Sequence, residues 1–254
     1  MAAERAAAAV AAHCRLLIEQ AGHACVAIKP QLACFERLGA PGWAALSEVC
    51  AAAREAGLLT IADGKRGDVP VTAAAYAQAL VGETPTPWGP VPGLGADAFT
   101  ANPLLGRDAL EPLVEAAAAA GAGIFILVRT SNPGAADLQD QPSPEQPLHE
   151  RLAALVDELA ERLAGSSSAL SGVGAVVGAT EPDHIARLRS LMPRAVFLIP
   201  GVGAQGGRPE LLGDAFAAGP AAALVAASRG IAADPDPAAA AERLRETVWG
   251  VSTA

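Results

Sequence analysis

Lysine is almost missing from this chain. Its 18 basic residues are 16 arginines and two lysines, Lys29 and Lys65. The wealth of Ala, Gly, Pro and Arg points to a GC-rich coding background, which places Arg wherever either cation will serve. A lysine kept against that bias is one needed as an amine: a compact, orientable charge able to give up a proton. Both lysines also follow strong strand signals, which sets them apart from chance surface residues. Other shortages exclude whole classes. No run of roughly 18 uninterrupted apolar residues occurs, so no membrane span is expected. Met1–Arg5 leads into alanines rather than a Leu-rich stretch with a cleavage site, so no signal peptide is expected. The four cysteines, Cys14, Cys25, Cys34 and Cys50, form no C-x-x-C pair. They read as buried free thiols of a cytoplasmic protein, not as a disulfide framework or zinc site. His13, His23, His149 and His184 lack ligand spacing, so these groups predict no bound metal. The net charge of −9 argues against nucleic acid, whose phosphates need a basic face. It does not forbid a small anionic substrate, because a few cations and backbone N–H dipoles can make one positive pocket.

Apolar residues, by contrast, are plentiful: 52% of the chain, against 18% charged. A sizeable core can be buried, and a single domain over 1–254 is expected. Short β-branched runs alternate with longer Ala/Leu/Glu/Arg segments. Strands are predicted at Ala24–Lys29, Leu58–Asp63, Ala96–Ala101, Gly123–Arg129, Gly172–Gly178, Ala195–Pro200 and Ala221–Ala226. Helices are predicted at Trp43–Ala56, Thr72–Val81, Asp108–Ala120, Glu150–Ala164, Pro182–Leu191, Pro209–Ala218 and Pro237–Val248. Such alternation means parallel βαβ units, and near-continuous apolar strands mean a sheet covered on both faces. Seven strand–helix pairs fit a (β/α) barrel better than a doubly wound sheet, and no G-x-G-x-x-G follows an early strand. Lys29, Asp63, Lys65, Asn102, Arg129, Ser131, Gln205 and Arg229 stand at or just past strand C-termini, where barrel enzymes keep their active sites. The opening helix, Ala2–Gln20, has no strand before it, which leaves the count one short of eight. Gly82–Gly95 and Asn132–Pro147 read as excursions from one domain, because the βα rhythm resumes after each.

The sharpest segment is Ile61-Ala62-Asp63-Gly64-Lys65-Arg66-Gly67-Asp68-Val69-Pro70-Val71-Thr72. Asp63 ends a strand, and glycines flanking Lys65-Arg66 loosen the backbone. Asp63 and Lys65 are two positions apart, so in an extended chain they point the same way. Asp68 opens the next helix and is expected to cap it. Carboxylates and an ammonium gathered at a strand end predict alternating charge, with each lysine between carboxylates. As a bare D-x-K-x-x-D pattern, a solvated turn with a surface ion pair is the better reading.

The segment does not stand alone. Asp63-x-Lys65-x-x-Asp68 with Val69-Pro70-Val71-Thr72 behind it resembles the signature of orotidine 5'-phosphate decarboxylases. The Lys65-Arg66-Gly67-Asp68 form is similar to that family's longer-chain branch. Val26-Ala27-Ile28-Lys29-Pro30-Gln31 resembles the family's second strand, Asp97–Pro103 its fourth, and Leu127–Ala135 its fifth with the pyrimidine-binding loop. Ile199–Gly207 resembles the phosphate loop after strand seven, and Ser228-Arg229-Gly230 the phosphate-binding end of strand eight. The likeness runs from about Ala24 to the C-terminus, and ordered motifs are far more specific together than singly.

The resemblance implies an α/β fold, a (β/α)8 TIM-type barrel, here lacking its first strand. That strand's ribose-binding Asp has no counterpart before Ala24. Leu104 stands where Tyr is expected, and Gly64 replaces a bulkier residue. Carried over, Lys65, Asp63, Asp68 and Lys29 are the catalytic group. Asp68 and Thr72 reach into the neighbouring subunit of a homodimer. Ser131 hydrogen-bonds the pyrimidine, Gln205 and Arg229 hold the phosphate, and Asn102 and Gly203 join the substrate contacts. Gly201, Gly203, Gly206 and Gly207 would let backbone N–H groups approach phosphate oxygens. The implied reaction turns orotidine 5'-phosphate into uridine 5'-phosphate and carbon dioxide in pyrimidine synthesis, in the cytoplasm, with no cofactor and no metal. Two rivals remain. One is a magnesium-dependent sugar-phosphate synthase or decarboxylase sharing D-x-K-x-x-D, which would need an acidic ligand where Lys29 stands. The other is a non-catalytic barrel that binds phosphate ligands.

Overall fold

A computed structural model describes residues 1–142, 145–166 and 168–253. Ser143 and Pro144, within the second expected excursion, lie outside the described residues. The chain opens with α1 (Ala2–Ala21), whose buried side chains Ala7, Ala11, Ile18 and Ala21 keep helical spacing. Next come β1 (Ala27–Ile28), α2 (Leu32–Glu36), α3 (Ala40–Glu55), β2 (Leu59–Arg66) and α4 (Pro70–Leu80). A small antiparallel hairpin, β3 (Glu83–Thr84) and β4 (Val91–Pro92), stiffens the Gly82–Gly95 excursion. The series continues with β5 (Ala98–Ala101), α5 (Arg107–Ala120), β6 (Gly123–Arg129), α6 (Leu148–Ala160), β7 (Ser171–Val177) and α7 (Asp183–Leu191). It closes with β8 (Ala195–Ile199), β9 (Ala223–Val225), α8 (Arg229–Ala232) and α9 (Pro237–Ser252).

Seven strands pair in parallel in the order β1-β2-β5-β6-β7-β8-β9, curled into an open barrel of the α/β class. Strand residues alternate between two apolar layers, as the pleat demands. Ile61, Ala98, Phe125, Val176 and Leu198 pack together on the inner face. Ala62, Phe99, Ile124, Ile126, Val173, Ala175 and Phe197 face the helices in a larger core. Among the described residues β1 pairs only with β2 and β9 only with β8, so the lane between them is open. Helix α1 packs against both α3 and α9, so the helical layer spans that side although the strand layer does not. No helix among the described residues is long and apolar enough to cross a membrane.

Three expectations need correction. The helix expected at Pro209–Ala218 is two short 3₁₀ turns, Pro209–Leu211 and Gly213–Phe216. A side chain from elsewhere reaches this irregular backbone and the chain on either side of it. Arg189, buried on α7, donates to the carbonyls of Met192 (2.9 Å), Ala195 (2.8 Å), Ala215 (2.9 Å) and Ala222 (3.0 Å) and lies over the Phe197 ring. Burial pushes the Arg189 guanidinium down to about 10. The strand expected from Ala24 shrinks to Ala27–Ile28, because Gly22–Ala24 is a 3₁₀ turn. All four cysteines are free, but only Cys50 is buried. Cys14 is half-buried, and Cys25 and Cys34 are exposed, on a connector and on the outer side of α2.

Candidate active site

Inner-face parity carries the functional side chains to the C-terminal mouth. On β1 the inward Ala27 is followed two positions on by Lys29. On β2 Ile61 is followed by Asp63 and Lys65, and on β5 Ala98 by Thr100. The side chains converge. Asp63 is buried, with Lys29 Nζ donating to its Oδ2 at 2.5 Å and Lys65 Nζ to its Oδ1 at 2.6 Å. Both lysines of the chain therefore meet on one carboxylate. Burial pushes the Asp63 carboxyl up, but the charges and hydrogen bonds of Lys29 and Lys65 outweigh it and hold the group below the usual carboxylate range.

Lys65 is the one non-glycine residue with positive φ among the described residues, at 50°. An L-residue pays roughly 1 kcal/mol or more to sit there. The strain falls on the lysine itself, not on the flanking Gly64 and Gly67. A register break makes room for it: Ala62 lies opposite Phe99 but Arg66 opposite Ala101, so three β2 residues face Thr100 alone. Thr100 Oγ1 accepts the Lys65 N–H at 2.8 Å and donates to Asp63 Oδ1 at 2.9 Å. Arg66 fastens the strand end outward, pairing with Glu36 and lying 5.3 Å from the Tyr76 ring centroid.

Asp68 does not join this group. The order of charge is Lys29–Asp63–Lys65, a carboxylate between ammoniums rather than the reverse. Asp68 Oδ1 accepts from the adjacent Val69 N–H at 2.7 Å, and Asp68 forms no ion pair among the described residues. It does not cap α4 either. The cap position is Val69, and Pro70 in the first turn has no N–H to satisfy. The chain is pinned to β5 just before Asp68: the Asn102 N–H donates to the Arg66 carbonyl at 2.8 Å, and a Cβ on Gly67 would lie 2.6 Å from the Asn102 carbonyl. Thr72 occupies the first turn of α4, without a hydrogen bond to the Lys29–Asp63–Lys65 group among the described residues. Asn102 Oδ1 is engaged by the Leu104 N–H at 3.1 Å.

A second cluster lies across the mouth. Ser131 donates to Gln205 Oε1 at 2.8 Å, joining the loops after β6 and β8. Ser131 is held in a slot, because a Cβ on Gly178 would lie 2.8 Å from its backbone and one on Gly201 would lie 2.9 Å from its own Cβ. The Thr180 hydroxyl donates to the Ser131 carbonyl at 3.2 Å. Behind it, buried Arg129 grips Asp140 through Nε (2.8 Å) and a terminal nitrogen (3.0 Å), which holds the Asp140 carboxyl below its usual range. These residues line a cavity of about 560 Å³ with Asn132, Glu181 and His184.

Within the glycine loop, Gly201, Gly203 and Gly206 have φ of 100°, 75° and 94°. The N–H groups of Gly203, Gly206 and Gly207 are taken up inside the loop, by the carbonyls of Gly207, Gly203 and Gly201. These three glycines thus shape the loop rather than offer their own amides. The amides of Ala204 and Gln205 have no protein acceptor among the described residues. Arg229 opens α8 beyond β9, exposed and without an ion pair among the described residues.

The sequence profile of the orotidine 5'-phosphate decarboxylase / HUMPS family matches residues 10–244. The chain belongs to this family. An orotidine 5'-phosphate decarboxylase of Deinococcus radiodurans is 48% identical over 204 residues, 80% of this chain and 70% of the relative. One of Rhodopirellula baltica is 44% identical over 89% of this chain and 73% of the relative. Among solved structures, an OMP decarboxylase of Leishmania donovani superposes with a TM-score of 0.82 at 37% identity, over 98% of this chain and 90% of that one.

Gly64 leaves room for a neighbouring side chain. A Cβ on Gly64 would come within 2.7 Å of Leu32 Cδ1, and Leu32 is fully buried. Leu32 thus fills the space that a larger residue at position 64 would need. Thr100 and Gly178 are among the contributors that escaped the sequence reading. Thr100 could have been found by inner-face parity along Ala98–Thr100. Gly178 carried no local signal, since its role is only to leave room for Ser131.

Proposed function

We propose that this chain decarboxylates orotidine 5'-phosphate to uridine 5'-phosphate in pyrimidine nucleotide synthesis. The observation that carries this reading is the meeting of both lysines on one buried, ionised aspartate. The substrate carboxylate sits against Asp63, where like charge disfavours the bound ground state. As the bond from C6 to the carboxylate breaks, carbon dioxide leaves and the electron pair stays on C6. The Lys65 ammonium stabilises that charge and then gives it a proton. Lys29 keeps Asp63 ionised throughout. Ser131 meets the pyrimidine, and Gln205, Arg229 and the Ala204 and Gln205 amides meet the phosphate, far from C6, where binding energy can be used to orient the ring. Gly203 and Asn102 shape the loops that receive it.

The active form in this reading is a cytoplasmic homodimer of one-domain subunits, each lending Asp68 and Thr72 to its neighbour's site. The exposed apolar side chains Val69 (55%) and Val71 (85%), beside those two residues, support it. Four free cysteines suit a reducing compartment. The magnesium-dependent alternative is disfavoured by Lys29, an ammonium that would repel a cation at the end of β1. Incubation of metal-depleted protein with orotidine 5'-phosphate in EDTA tests the proposal. Equimolar uridine 5'-phosphate and carbon dioxide are expected. Turnover that vanishes in EDTA and returns with magnesium would move the chain to the sugar-phosphate group.

A further inference from the structure

We propose that Thr100 is a positioning residue for the decarboxylation: its hydroxyl ties the Lys65 backbone and the Asp63 carboxylate into one unit aimed at the substrate. The inference rests on the functional reading above and extends it to a residue on β5 that touches neither substrate nor leaving group. Thr100 is 1% exposed, so both of its hydrogen bonds form away from water. A hydroxyl has one proton and two lone pairs. One lone pair receives the Lys65 N–H, and an ionised Asp63 can only accept, so the proton is directed to Asp63 Oδ1.

The register break explains why a side chain is needed. With Asp63, Gly64 and Lys65 all opposite Thr100, the Lys65 amide falls at the break in the regular ladder, where a β5 carbonyl would otherwise receive it. The Thr100 oxygen takes that place. It thereby fixes Lys65 at φ 50°, the conformation from which Nζ returns to Asp63. The same Oδ1 accepts from both Lys65 Nζ and Thr100, so the carboxylate cannot rotate without breaking two bonds.

Thr100→Val keeps the shape and removes both bonds, whereas Thr100→Ser keeps both bonds and removes a methyl group. Valine is expected to lower kcat by about ten- to a hundredfold, the scale of loss when a reacting group is slightly misplaced. KM should change little, because the phosphate and pyrimidine contacts are elsewhere, and serine should restore most of kcat. In the ligand-free protein, carbon-13 NMR should show the Asp63 carboxyl titrating higher in Thr100→Val than in wild type and unmoved in Thr100→Ser. A folded Thr100→Val protein with wild-type kcat, or a serine variant as impaired as the valine one, overturns the proposal. If wild-type protein releases no carbon dioxide, the functional reading fails on its own. The titration then still decides the tie, and an unmoved Asp63 in Thr100→Val refutes it.

Discussion

A carboxylate buried between two ammonium groups is held ionised by its neighbours, and that has a consequence for stability. Asp63 in the folded protein lies below its value in the unfolded chain, which is about 3.9 for a free Asp. Its ionised form therefore favours folding above that unfolded value, and the contribution is lost as pH falls through the folded value. Asp63→Asn should be much less stable than wild type near neutral pH, because it leaves Lys29 and Lys65 without their counter-charge. The gap should narrow as pH drops below about 4. Denaturant unfolding of both proteins across that range checks this, and a gap independent of pH would show that Asp63 carries no such linkage. At this scale the sequence was informative where composition singled a residue out. Two lysines among 18 basic residues pointed to Lys29 and Lys65, and the structure brings both to Asp63. The positive φ of Lys65 and the role of Thr100 were not legible, since both depend on a register break between strands that are distant in sequence.

Among the elements, β6 matches its expected span because Gly123–Arg129 is a buried apolar run that starts at a glycine and ends at a charge. The segment after β8 fails as a helix for a physical reason. Gly213 interrupts the run, and the Arg189 guanidinium donates to the Ala215 carbonyl within it and to the Ala222 carbonyl just beyond it. No periodicity within 209–218 could reveal a donor placed on α7. The arrangement predicts a large effect from one substitution. Arg189→Met fills similar space but takes the guanidinium away from four carbonyls, and should destabilise the fold by roughly 3 kcal/mol. Guanidinium unfolding would measure it, and a loss under about 1 kcal/mol would mean that water replaces the guanidinium at little cost. Asp68 teaches a related lesson. Spacing placed it beside Lys65, but a backbone tie between Arg66 and Asn102 intervenes, and its proposed use lies across the dimer.

At the level of the whole molecule, the parallel βα rhythm was legible because most strands are apolar runs with a helix close behind them. Among the described residues the strand layer is open between β1 and β9, with α1 packed across α3 and α9 on the helical side. What the fold accomplishes is convergence: the ends of β1, β2 and β5 gather Lys29, Asp63, Lys65 and Thr100, while loops after β6 and β8 bring Ser131 to Gln205. The central claim is that this convergence breaks the carbon–carboxylate bond with Lys65 as proton donor. Its most direct test compares wild type with Lys65→Ala for release of carbon dioxide from orotidine 5'-phosphate, with uridine 5'-phosphate binding measured alongside. Lys65→Ala should lose about a hundredfold or more in kcat while still binding uridine 5'-phosphate. A variant that keeps more than about a tenth of wild-type kcat would contradict the account.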